Sequence, residues 1–487
     1  MRLIAFFLCI LLSTLSFAQP TPINRIMMEA KKPSPLEENL RVLTDEIGGR
    51  MAGTPAMKQA VDWGVNAFNA AGADTVVVEP FTIETSWQEG NTQIQVVSPD
   101  KFNIHARSFG WSPALVTNSP VRVVDIGDGS PEAFKKAGDI SGTVVLLHSN
   151  PNKSWGDLFG EYLHFAPVAD RAVAGKAAAI AVMSTHQRDL MYRHIHAGPN
   201  KLDDLPVFLV AREDAQRIAR VLTKNKNVTM NINMPNKIGP AVTTWNVIAE
   251  INGSEKPNEW VLLGAHLDSW ELGTGALDNG CNAALVIDAL RAIKASGIKP
   301  KRSIRFALFS GEEQGLIGSH TYVAAHHDEM KDGAGVVIFD GGSGAVTGYS
   351  LGGRKDIASN IKKLLTPLQS YGVKTHTADA SVGTDNIDFL LEGIPNLTAN
   401  QKEANYLDNY HAQSDTFDKV DLKQLRNNVI VAAATVFAIA DAPNHLGKRY
   451  SIKETEDLLK KTKLDDQMKL FHIWDYWTEV KTKREKA

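Results

Sequence analysis

The chain has 487 residues, of which 43% are hydrophobic and 22% charged, with a formal net charge of −3. Those proportions belong to a globular protein with a sizeable core, long enough for two or three domains. The near-neutral balance excludes a global field that would draw the chain to nucleic acid or to an anionic membrane.

Arg2 precedes an apolar run from Leu3 to Leu12, and a small-residue site follows at Ser16-Phe17-Ala18. This is the layout of a secretory signal peptide over residues 1–18, cleaved after Ala18, so the protein is expected to be exported to a periplasm or secreted, with no membrane contact after signal removal. The run is too short for a good membrane span. Of the two cysteines, Cys9 leaves with the signal and Cys281 remains, so the mature monomer has no internal disulfide.

Residues 19–35 are Pro-rich and polar and read as a leader. Leu36, Leu40, Leu43 and Ile47 then recur at helical spacing before Gly48-Gly49, and a second helix is predicted from Met57 to Ala71. Asp74 to Phe81 reads as a strand. From about Ser119 the texture changes to short strands (121–125, 142–147, 206–210) alternating with helical stretches, which reads as an inserted α/β unit over 119–242. Arg193-His194-Ile195-His196 within it alternates like a strand and is assigned a surface or dimer role.

Beyond 243, strands at 260–265, 304–309 and 336–339 alternate with helices at 279–293, 314–325 and 355–368. A short strand at 397–399 and a long apolar helix at 422–440 follow. Such alternation predicts an α/β fold, a mostly parallel (mixed) sheet with helices on both faces. The expected division is thus 36–118 and 243–442 for one domain, 119–242 for the insert, and 443–487 for a docked helical extension.

In an open α/β sheet chemistry collects at the carboxyl ends of strands. There the sequence has His266 and Asp268, then Glu312-Glu313, then Asp340; Asp278 precedes a helix, and His411 lies in a loop. Imidazole and carboxylate are ligand types that suit zinc, and two histidines with three carboxylates can hold two ions if one carboxylate bridges. In the pair Glu312-Glu313, one carboxylate can bind metal while the other stays free to carry a proton. Asp268 is positioned to accept the second ring N–H of His266. Taken singly, each carboxylate would read as a loop residue or a helix cap. Cys281 reads as a small buried residue in a first helical turn, and His326-His327 as exposed.

The segments 264–270, 275–280, 311–315, 340–342, 383–385 and 411–416 together resemble the M28 zinc peptidases over roughly residues 36–442, and the insert resembles a protease-associated (PA) domain. The resemblance implies the zinc-exopeptidase fold and two zinc ions per chain. In it His266 and Asp340 hold one ion, Glu313 and His411 the other, and Asp278 bridges. Glu312 would be the general base and acid, and Asp268 the support of His266. A cis peptide after Asp278, a homodimer, and dipeptides or short peptides as substrates are further implications. Tyr410, Asn386, Asp385 and Arg354 are candidate substrate contacts. A carboxypeptidase or dipeptidase activity is expected, with an aminopeptidase on the same fold as the alternative. Less favoured are a glutaminyl cyclase, which uses one zinc, and a non-catalytic binding protein.

Overall fold

The computed structural model describes residues 20–486; the expected signal segment 1–18 lies outside the described residues. A seven-stranded sheet carries the fold. Its spine is Lys256–His266, whose run Trp260–Ala265 is apolar on both faces, as suits a strand covered on both sides. Parallel neighbours are Arg302–Phe309 on one side and Gly333–Ile338 on the other, followed by Asn396–Gln401. The edges are antiparallel: Val242–Ile251 and Thr75–Ile83 at one end, Val346–Ser350 at the other. Chain order therefore reverses direction at Lys256–His266, and the crevice beyond its carboxyl end is where such sheets bind ligands.

Helices cover both faces. Pro55–Ala71 starts on a Thr54 side chain that accepts from Met57 N at 3.2 Å and stops at Gly72, whose φ of 90° suits glycine. Cys281–Ala295 is buried nearly all round, between the sheet and the helices Pro22–Ala30 and Leu422–Asp441. Pro22–Ala30 replaces the expected leader: Thr21 caps it, Pro22 opens it, and Ile26, Met27 and Ala30 bury one stripe. The expected helix at 314–325 starts only at Ile317, because Gly315 (φ 102°) and Leu316 (φ 62°) turn the chain left-handed first. That turn projects Glu312 and Glu313. Pro367 divides the expected helix at 355–368 into Ala358–Leu364 and a tighter turn, Thr366–Tyr371.

A second sheet of nine strands includes the parallel set Val121–Asp125, Val144–Leu147, Ala179–Met183 and Val207–Val210. Helices Trp155–Ala174 and Arg212–Lys224 pack on it. This sheet also takes in Gln93–Ser98, Phe102–Ile104, Ala106–Ser108 and Leu115–Val116, all upstream of the expected start at 119. The ribbon of Ser86–Gln88 with Lys237–Gly239 marks where the chain crosses out and returns. At the carboxyl end, Ile452–Thr462, Leu464–Leu470 and Trp474–Lys486 share a core with Leu316, Val382, Ile387 and Leu390. No helix among the described residues is long and apolar enough to cross a membrane.

Candidate metal centre

His266 ends the central strand, and its Nδ1 meets the backbone carbonyl of Asp268 at 3.1 Å. A carbonyl only accepts, so Nδ1 donates and Nε2 of the neutral ring presents its lone pair. That Nε2 faces Asp278 Oδ1 at 3.1 Å and Asp340 Oδ1 at 3.3 Å. His411 repeats the pattern. Its Nδ1 donates to the Arg193 carbonyl at 3.0 Å, and its Nε2 faces Glu313 Oε2 at 3.0 Å and Asp278 Oδ2 at 3.3 Å. The two oxygens of Asp278 thus serve two separate imidazoles.

Buried lone pairs facing each other repel unless a proton or a cation lies between them. Around a tetrahedral ion with ligand bonds of about 2.0–2.1 Å, neighbouring donors lie about 3.3 Å apart. The observed spacings match, so the donor set fits metal. Glu313 Oε1 has no hydrogen-bond partner, as expected of an oxygen left for an ion. The electrostatics agree. Burial opposes a charge on His411, yet Glu313 and Asp278 outweigh it and push the ring up to about 10. Burial raises Glu313 to about 7 against the pull of His411, and pushes Glu312 well above its ordinary value.

Three buried groups shape the ligand loops. Asp415 accepts from Ala276 N (3.1 Å) and Leu277 N (2.7 Å) on one oxygen, and from Asp278 N (3.1 Å) on the other. Arg50, fully buried, donates to the carbonyls of Leu267, Thr274 and Gly275, tying the end of the central strand to the Asp278 loop. Arg193 clamps His411 from the second sheet: its N–H donates to the His411 carbonyl at 3.0 Å while its own carbonyl receives the ring N–H. The Arg193 guanidinium is itself held by Glu89 (2.7 Å) and Glu271.

Asp268 differs in detail from expectation. Its carboxylate accepts from the backbone N–H groups of Glu312 and Glu313, both at 3.3 Å, and Oδ1 lies 3.6 Å from His266 Nδ1. It orients the Glu312-Glu313 turn, while its main chain orients the imidazole. The Asp278–Asn279 peptide bond is cis. Cys281 is buried, its thiol against the Leu277 carbonyl.

A cavity of about 300 Å³ opens over this cluster, with Asp278, Glu312, Glu313, Asp340 and His411 in its floor. His194 and His196 line it too, which corrects the surface or dimer role expected for 193–196: Arg193 and His194 are buried. Tyr410 reaches the cavity and its hydroxyl meets that of Tyr162 at 2.7 Å. Asp385 is buried close by with neither oxygen partnered, and burial raises it to about 8. Asn386 instead bonds Asn396, and Arg354 is spent on Asp356 and the Lys448 carbonyl, so neither lines the cavity. His326 and His327 are half-buried and paired with carboxylates, not exposed.

Residues 246–436, which contain all five of these ligand candidates, match the model of Peptidase family M28. Over these residues the chain resembles that family. It is accordingly a hydrolase of the metallo-exopeptidase kind. The resemblance extends to relatives along most of the chain. Carboxypeptidase Q of Rattus norvegicus is 26% identical over 406 residues, covering 83% of this chain and 85% of its own. The structure of a Peptidase M28 precursor from Shewanella amazonensis superimposes with a TM-score of 0.80 at 26% identity, covering 88% of this chain and 98% of that one. BSAP, described as a zinc aminopeptidase from Bacillus subtilis, shares the fold at 19% identity, with a TM-score of 0.64 over 82% of this chain and 93% of its own.

Proposed function

We propose that this M28 exopeptidase holds two zinc ions and hydrolyses dipeptides and other short peptides with free ends. The observation that carries the reading is the division of Asp278, whose Oδ1 and Oδ2 face two imidazoles already committed through Nδ1. His266 and Asp340 would hold one ion, Glu313 and His411 the other, with Asp278 shared. Bound there, zinc supplies a Lewis acid and lowers the pKa of water.

Glu312 then acts as the proton carrier. It lines the cavity beside the ligands without being one of the close donor set, and burial keeps its proton affinity high. It takes a proton from the attacking water and returns it to the amine that leaves as the C–N bond breaks. Tyr410, whose hydroxyl burial keeps protonated, is the donor toward the charge that grows on the carbonyl oxygen. Asp268, through the two N–H groups it accepts, keeps Glu312 and Glu313 pointing to different tasks.

The relatives named carboxypeptidase Q support a carboxypeptidase, and those named leucine aminopeptidase 2 an aminopeptidase. One feature of the site favours an aminopeptidase as second reading: among the described residues that line the cavity there is neither lysine nor arginine to hold a free carboxylate. A free amine suits such a lining better than a free carboxylate. The segment Leu3 to Ala18 supports export. The test is metal analysis combined with dipeptides blocked at either end. Two zinc per chain and cleavage of the unblocked dipeptide are expected. One zinc per chain, or no cleavage by zinc-loaded protein, refutes the reading; loss on N-blocking alone selects the aminopeptidase.

A further inference from the structure

Three segments far apart in sequence supply part of the cavity's walls. Trp155, Leu158, Phe159 and Tyr162 belong to the helix Trp155–Ala174, Val382 and Thr384 to the loop before the helix Asn386–Leu391, and Leu470, Phe471 and Ile473 to the carboxyl-terminal extension. Phe471 lies nearly parallel to two aromatic rings at once: Phe159 at 5.9 Å and Tyr162 at 5.7 Å between centroids. The extension is bolted in place there. Gln467 Oε1 accepts from Val382 N at 3.0 Å, and the Tyr476 hydroxyl donates at 2.9 Å to the carbonyl of Gly315, two residues after Glu313. The Tyr476 ring stacks on His320 at 3.5 Å. A Cβ on Gly198 would come within 2.7 Å of His472, so the extension also packs tightly on the segment after His196.

Leu464, Met468, Ile473 and Trp477 are buried in the core that the extension shares with Leu316, Val382, Ile387 and Leu390, whereas Phe471 packs against its edge and, like Leu470, stays partly exposed. Phe159, Tyr162 and Phe471 are half-buried and Trp155 is 38% exposed, so a cluster of large apolar faces meets water beside the catalytic groups. Such clusters mark binding sites. The opposing floor is acidic.

We propose that Phe471, with Phe159 and Tyr162, forms the side-chain pocket of the peptidase and selects substrates with a bulky apolar residue, leucine or phenylalanine, next to the scissile bond. The proposal rests on the exopeptidase reading for which residue is cleaved, but the pocket can be tested by binding alone. Phe471→Ala removes one wall and Phe471→Trp fills the space, while Phe471→Leu keeps an apolar wall.

The dipeptides Leu-Leu and Ala-Ala would be compared on zinc-loaded protein, by kcat/KM and by calorimetric binding to Glu312→Gln protein carrying the same changes. With metal content and thermal midpoint as controls, Phe471→Ala should lower the Leu-Leu over Ala-Ala preference about tenfold, the size expected for lost apolar contact in a pocket. Phe471→Trp should lower it through poorer Leu-Leu binding. Phe471→Leu should stay within about threefold of the parent, well short of that tenfold change. An unchanged preference in Phe471→Ala, or an equal loss for both dipeptides, overturns the proposal. Preferential Leu-Leu binding that depends on Phe471, without any cleavage by the parent protein, would uphold the pocket and refute the exopeptidase reading instead.

Discussion

Asp415→Asn is the sharpest test of how the bridging carboxylate is aimed. The Asp415 carboxylate accepts three backbone N–H groups, two on Oδ1 and one, from Asp278 itself, on Oδ2. Asparagine can keep the pair on Oδ1, but its amide nitrogen then faces the Asp278 N–H, donor against donor. One buried hydrogen bond to a charged group is lost, costing about 1.5–3 kcal/mol. If the loop relaxes and takes Asp278 with it, that energy appears as roughly 10- to 150-fold weaker metal binding. Zinc affinity measured against a competing chelator, with the thermal midpoint of the metal-free protein, would show where the loss falls. Zinc affinity within threefold of the parent, together with an unchanged midpoint, would refute this account of Asp415.

Glu312→Gln should retain both the fold and the zinc while kcat falls about 10²–10⁴-fold, the usual contribution of a positioned acid–base group; activity within a few-fold of the parent would remove Glu312 from the role. Arg193→Met should strand the buried Glu89 and loosen His411, lowering stability by about 3–5 kcal/mol in chemical denaturation. Metal removal should make stability depend on pH in a stated direction. Burial raises Glu313 and Asp415 to about 7 in the metal-free fold, above their ordinary values. The native state therefore binds more protons than the unfolded chain, and its stability falls as pH rises through that value. Zinc needs the same groups deprotonated. The gap in thermal midpoint between zinc-loaded and chelator-treated protein should widen from pH 5 to 8, and a constant gap would contradict the assignment.

The five ligand candidates were legible because each stands at a strand end or loop inside a recognisable short segment. The groups that aim them were not. Arg50 acts on a carbonyl 224 positions away, and Arg193 pairs with Glu89 across 104. No periodicity links such positions. The strand Val242–Ile251 straddles the boundary expected at 243, and of the strands between 93 and 116 all but Gln93–Ser98 span only two or three residues, too few for alternation to register. The helix Pro22–Ala30 was hidden by its proline, although Thr21-Pro22 is a helix-start signal. The sequence around His194 and His196 supplies no further ligand, which is why it points to a surface or dimer role. What brings them to the cavity is the distant pairing of Arg193 with His411.

The reciprocal backbone grip between Arg193 and His411 has a practical corollary. A fragment trimmed to residues 246–436 would retain every ligand candidate yet lose the partner that sets the tilt of one imidazole, along with the aromatic ceiling. Minimal versions of this catalyst, or chimaeras that swap its inserted lobe, would need to carry that junction with them, because the boundary of the working unit is drawn by one ring's orientation and not by the extent of the family's signature.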